Sequence, residues 1–362
     1  LTVFRPPPRA SGYLHTGYGE DLVLLQTRTE RASLAVFVVL LASFPFLASP
    51  FALDLACQVF LASIGALSLM LLTGYAGQIS LGHAGLIAAG AFTTGILARE
   101  ISAPFWITLP ASAVTGIVLG FIFGLPSLRL RGLYLAVSTL ALHFIVIYLG
   151  GEYETKRGFS TGIVVDPPSF AGVKLTDGRA WYFVLLMAAA VSLLICINLL
   201  RSRSGRAWRA VHVRETVAEA LGINIARYKL LAFVISSSMT SVAGCLFAYY
   251  RGFVSIEAFD LFLSIQYVAM IIVGGMGSLL GALLGAAFVT VFPYLIEGLL
   301  RLLPNVQKLA GDIFAVNYAA FGVVMILFLI FEPLGLVGIW RRIQSYFLLW
   351  PFKYKPLAGA RK

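Results

Sequence analysis

The chain has 362 residues, 59% of them hydrophobic and only 12% charged, with a mean hydropathy of +0.90. Soluble domains carry about 25% charged residues, so the composition excludes a soluble enzyme or binding module and leaves an integral membrane protein. The net charge of +11 raises nucleic acid as a partner, but the basic residues follow membrane sidedness rather than one binding face.

The first segment, Leu1–Arg31, is polar and contains Pro6, Pro7 and Pro8, an order unlike that of a signal peptide. Stretches of about 17–25 apolar residues are long enough to cross a bilayer as helices, and backbone in lipid has little alternative. Ten such spans are predicted: Ala32–Phe51, Leu55–Leu72, Leu81–Ala98, Phe105–Leu125, Leu133–Leu149, Trp181–Leu200, Leu230–Tyr250, Phe262–Val273, Leu279–Leu300 and Val316–Ile339. The fold class is therefore all-α, a polytopic membrane protein of about ten transmembrane helices whose transmembrane body occupies 32–340. An even number puts both termini on one side. With that side cytoplasmic, segments 1–31, 126–131, 201–229 and 341–362 hold nineteen of the 27 Lys/Arg. Glu152, Glu154, Asp166, Asp177, Glu257, Asp260 and Asp312 fall on the other side, among them the acids of the sizeable loop 150–180. Such a bias is the positive-inside rule.

Between the second and third spans, Gly74-Tyr75-Ala76-Gly77-Gln78-Ile79-Ser80-Leu81-Gly82-His83 breaks the apolar pattern. One reading makes Gly74, Gly77, Gln78, Ser80, Gly82 and His83 a helix break on a translocation path, with a half-helix from Ser80 aiming free N–H groups at an anion such as a carboxylate. The other is a tight turn joining two helices. The segment 201–229 carries seven Lys/Arg, and Ala207, Ala210, Val211, Val217, Ala218 and Leu221 recur on one helical face. Gly222 stands where a helix end needs positive φ. A docking surface for a cytoplasmic partner and a connector lying on anionic lipid headgroups both fit. Gly277, Gly281 and Gly285 recur every four residues, the spacing of a close helix-packing face.

Catalytic signatures do not emerge. No Gly-Lys dipeptide occurs, so a P-loop for ATP is excluded. His15, His83, His143 and His212 lack paired spacing for a metal, and Cys57, Cys196 and Cys245 form no C-x-x-C. Ionisable residues are nearly absent within spans, which argues against an ion-coupled carrier acting alone, since such carriers place charged groups at mid-depth.

Four blocks then occur in a telling order: GYAGQISLGHAG, LRLRGLYLAVSTLAL (Leu128–Leu142), GRAWRAVHVRETVAEALGINIARYKLLAFVIS (Gly205–Ser236) and IIVGGMGSLLGALLGA (Ile271–Ala286). Together they resemble the LivM-type permeases of bacterial ABC importers for branched-chain amino acids, over roughly Leu55–Ile339. The resemblance implies a multi-pass protein of the bacterial inner membrane, with a LivH-like second permease, two ATPase subunits and a periplasmic substrate-binding protein as partners. ATP and Mg would sit on the ATPases, with no cofactor on this chain. It also implies ATPase coupling through Arg214, Glu215, Glu219, Ala220 and Gly222, although the fuller EAA-type pattern is absent because no I-x-L-P follows. Relatives carrying urea, short amides or aromatic acids keep the cargo open.

Overall fold

The computed structural model describes residues 28–130, 132–158, 162–170, 173–300, 313–332 and 334–349. The expected terminal segments therefore fall largely outside the described residues: 1–31 up to residue 27, and 341–362 beyond residue 349.

Every long element is a helix. After α1 (Arg28–Leu47), α2 (Pro50–Leu69) starts where Pro50 supplies a preset φ and the Ser49 hydroxyl accepts the Ala52 N–H. The rest of the first half is α3 (His83–Ile101), α4 (Phe105–Ser127) and α5 (Leu133–Arg157). Two-residue strands β1 (Ile163–Val164), β2 (Ser169–Phe170) and β3 (Val173–Lys174) follow, and then α6 (Gly178–Arg201). Two short helices, α7 (Arg203–Val213) and α8 (Glu215–Ala220), lead into α9 (Ile225–Arg251) and β4 (Phe253–Val254). The chain closes with α10 (Leu261–Gly274), α11 (Leu279–Leu300), α12 (Ile313–Phe331) and α13 (Gly335–Leu349).

Among the described residues, eight helices are long and apolar enough to span a membrane, and two shorter apolar stretches, Arg31–Leu47 and Ala319–Phe328, accompany them. The bundle is organised on α9, which packs along α4, α3 and α2, while α2 in turn carries α6, α11 and α10. Small residues make those approaches. A Cβ on Gly90 would overlap the Ser241 carbonyl oxygen, and one on Gly244 would overlap that of Ile87, so α3 and α9 cross backbone against backbone. Hydroxyls stitch α9 to both neighbours: Ser241 Oγ donates to Leu86 O on α3 at 3.0 Å, and Ser236 Oγ to Ser68 O on α2 at 2.8 Å. In a membrane such contacts replace the hydrophobic drive that water would supply.

Several boundaries differ from expectation: α1 and α2 part at residues 48 and 49 rather than between Phe51 and Leu55, α5 runs past Leu149 to Arg157, and two further differences change the architecture. The eighth span lengthens at its start, through a 3₁₀ turn at Ile256–Phe259, and stops at Gly274 because Gly275 takes φ 114°. The last span divides. Helix α12 ends at Phe331, Gly335 turns the chain at φ 64°, and α13 leaves as a separate helix tied back by Arg342, whose guanidinium grips Glu332 through two bonds of 2.7 and 3.0 Å.

The two ends of the bundle have opposite characters. One carries α7, α8 and the α13 arginines and is called the basic end. At the other, β1 pairs antiparallel with β4 (Ile163 with Val254, Val164 with Phe253), joining the loop after α5 to the chain after α9. Glu152, Glu154 and Glu257 line an open cavity of about 960 Å³ beside that strand pair, at what is called the hairpin end after the antiparallel β2–β3 pair in the same loop.

Candidate functional site

The helix break and the basic segment meet at the basic end. Helix α2 does not stop cleanly at Leu69: Met70–Tyr75 continue it as a π-helical turn, a form that recurs at functional sites. Gly77 then reverses the chain at φ 70°, a value that favours glycine. Its α-carbon faces His212, where an added Cβ would lie 2.7 Å from Nδ1. Partial burial holds the His212 imidazole below its usual pKa, so it is neutral at physiological pH. Ala76, Gly77 and residues 211–216 enclose a pocket of about 330 Å³.

The break is locked on every side. Gln78, 2% exposed, donates through Nε2 to Lys229 O at 3.0 Å, and Thr73 Oγ1 donates to Gln78 O at 3.0 Å. Gly82 abuts the Thr139 carbonyl on α5, Gly74 approaches the Gly277 amide, and Ser80 is buried. His83 is buried with its ring centroid 4.7 Å from that of Tyr267. The helix itself begins at His83, three residues after the expected start at Ser80. Leu81 N–H donates to Thr139 Oγ1 and Ala84 N–H to Ser264 Oγ, both at 2.9 Å. Protein hydroxyls therefore occupy donors that an anion-binding half-helix needs free, and the geometry is that of a packed turn.

The basic segment also departs from its expected form. A single amphipathic helix is replaced by two, because Arg214 is extended at φ −157°, ψ 112°. Helix α7 is fixed by Trp208, which is 1% exposed and donates Nε1 to Tyr228 O at 2.8 Å. Arg209 Nη2 adds a 2.7 Å bond to Leu200 O at the end of α6. The turn at Arg214 splits the apolar face. Ala207, Val211 and Ala218 point inward, while Val213, Val217 and Leu221 are 61%, 50% and 75% exposed. Arg214, Glu219, Ala220 and Gly222 share that exposed surface, with Gly222 at φ 81° closing α8. Glu215 alone turns inward: its Oε1 lies 2.5 Å from Lys229 Nζ, whose side chain is only 7% exposed. Helix α8 is thereby pinned to the first turns of α9. Sequence reasoning missed Lys229 and Val213, and it placed Val217 and Leu221 on one face with Ala207, Val211 and Ala218. Only the break at Arg214 turns them outward.

Gly281 and Gly285 sit where α11 meets α10, their Cβ positions filled by the Gly274, Gly275 and Met270 carbonyls. Gly277 is not on that helical face. It lies in the preceding turn at φ 80° and donates its N–H to Met70 Sδ at 3.2 Å, which links the π-helical turn to the α10–α11 corner.

A polytopic bundle with a short helical arm clamped to its central helix defines a membrane transport permease. Over residues 51–331 the chain matches the family described as branched-chain amino acid transport system, permease component, and it belongs to that family. It is 31% identical to the high-affinity branched-chain amino acid transport system permease protein LivM of Salmonella typhimurium, covering 87% of this chain and 76% of that one. It is 25% identical to a probable branched-chain amino acid transport permease protein LivH of Methanocaldococcus jannaschii (66% and 76% covered). The autoinducer 2 import system permease protein LsrC of Enterobacter sp. is 28% identical over about half of each chain, 51% and 54%. No solved structure matches significantly.

Proposed function

We propose that this chain is a permease subunit of an ATP-driven importer for branched-chain amino acids in the bacterial inner membrane. It works beside a LivH-like second permease, with two ATPases on its basic, cytoplasmic end and a periplasmic binding protein at the hairpin end. The observation that carries this reading is the α8 arm. Its outer surface and its two ends offer Val213, Val217 and Leu221, interspersed with the exposed charges of Arg214 and Glu219. Its inner surface is bolted by Glu215 to Lys229 on the helix around which the bundle packs. A movement imposed from outside is thus passed to α9 as a rigid-body shift, the mechanical requirement for alternating access driven by another subunit's nucleotide chemistry. The names of the LivM and LivH relatives support the cargo and the second permease.

Replacing Glu219 and Gly222 together should leave membrane insertion intact and uncouple ATP hydrolysis from leucine uptake, with uptake in reconstituted vesicles falling at least tenfold. Uptake at the parent rate would remove α8 from the coupling role. Sidedness is tested separately. A single cysteine at Leu221, 75% exposed, should react with an impermeant maleimide only after the cytoplasmic face is opened.

A further inference from the structure

A third cavity lies between α2, α9, α10, α11 and α12, in the half of the bundle nearer the hairpin end, with a volume of about 440 Å³. Single small-molecule sites begin at about 300 Å³. Its chemistry is two-sided. Arg251 and Glu297 both line it, one cationic and one anionic, and neither is in an ion pair among the described residues. The Arg251 guanidinium lies 5.9 Å from the centroid of the Phe247 ring.

The wall between them is polar and already arranged. Gln58 donates Nε2 to Asp54 Oδ2 at 2.7 Å, and Tyr294 Oη approaches Gln58 Oε1 at 3.4 Å. Deeper in, Leu61, Met270 and Val289 give the cavity an apolar face. Tyr267, which also lines the cavity, is packed on His83 and against Gly65, on the side toward the helix break.

We propose that this cavity binds one zwitterionic amino acid with an apolar side chain. The carboxylate is held at Arg251, the ammonium at Glu297, and the side chain lies against Leu61, Met270 and Val289. The proposal rests on the transport reading above and adds to it a site within this chain. Opposite charges that remain unpaired with each other across a polar wall suit a ligand carrying both signs; a neutral amide would leave both without a counter-charge, and a plain anion would leave one.

The test is direct binding to the purified permease pair with tritiated leucine, competed by leucinamide, which lacks the carboxylate, and by 4-methylpentanoate, which lacks the ammonium. On the unaltered protein each analogue should compete at least tenfold more weakly than leucine. Arg251→Gln should remove the preference over leucinamide while keeping that over 4-methylpentanoate, and Glu297→Gln should do the reverse. Val289→Trp fills the apolar face and should abolish binding; if it fails to assemble, the analogue competition and the rim variant Arg251→Gln decide alone. Equal competition by both analogues, or unchanged selectivity in both charge variants, overturns the site. Leucine uptake by the full transporter is measured alongside. Uptake at the parent rate by the Val289→Trp variant sinks this site and leaves the transport reading standing, whereas no uptake by the parent complex sinks the transport reading itself.

Discussion

Lys229→Met should abolish coupled uptake. Lys229 is 7% exposed in its side chain and Glu215 25%, so the pair is largely withdrawn from water. Removing one partner of a buried pair leaves an uncompensated charge and costs roughly 3–5 kcal/mol; the partial exposure of Glu215 puts the expected loss near the low end, about 3 kcal/mol. That is enough to free α8 from α9 while the rest of the bundle holds, because Trp208 and Arg209 still anchor α7. Uptake in vesicles should fall below a tenth of the parent while nucleotide hydrolysis by the complex persists. The exchanged pair, Glu215→Lys with Lys229→Glu, should recover more than half, since the coupling energy belongs to the pair and not to either residue. Equal uptake in the single variant and the parent would show that the clamp has no mechanical part.

The second large effect is structural. Gly90→Val should prevent assembly of the bundle. Its new Cβ would fall on the Ser241 carbonyl, and a backbone atom in the adjoining helix has no rotamer with which to move away. Overpacking a well-filled interior costs about 1–3 kcal/mol when side chains can adjust, and here the whole α3–α9 seam must part. A monodisperse peak in size-exclusion chromatography of the detergent-extracted protein should be lost. Gly95→Ala, one turn further along the same helix, is the control. Its nearest neighbour would be Ile163 Cγ2 at 3.4 Å, an ordinary contact, and the gain in helix propensity is up to about 1 kcal/mol. That variant should be as stable as the parent or slightly more so.

Much of this was legible from composition and spacing, and the reasons are physical. Apolar runs long enough to cross lipid have no other conformation open to them, so the helices, the loop positions and the fold class follow from hydropathy. The glycine signal at Gly222 was legible because positive φ selects for one residue type, and the structure has φ 81° there. Less legible was anything set by tertiary contact. Arg214 breaks a pattern that continues unperturbed through it, and nothing in its neighbours distinguishes an extended residue from a helical one. Lys229 looked like one more basic loop residue because its partner lies fourteen positions back, across a turn. The donors at Leu81 and Ala84 looked free because Thr139 and Ser264 are far away in sequence. In the sequence Arg251 directly follows one predicted span and Glu297 lies three residues from the end of another, and only the packing of α9 and α11 against α2 places them on one cavity.

Helix α9 holds Lys229 near one end and Arg251 at the other, and it crosses α3 tightly at Ser241 and Gly244. At 1.5 Å per residue the two arms on either side of Ser241 measure about 18 and 15 Å. Such a rod, pivoting at its waist like a seesaw, would convert a push of about 1 Å at the foot into a swing of roughly 0.8 Å in the opposite sense at the head. The stroke of the motor and the loosening of the cargo's carboxylate would then be two ends of one motion, needing no relay of side chains between them.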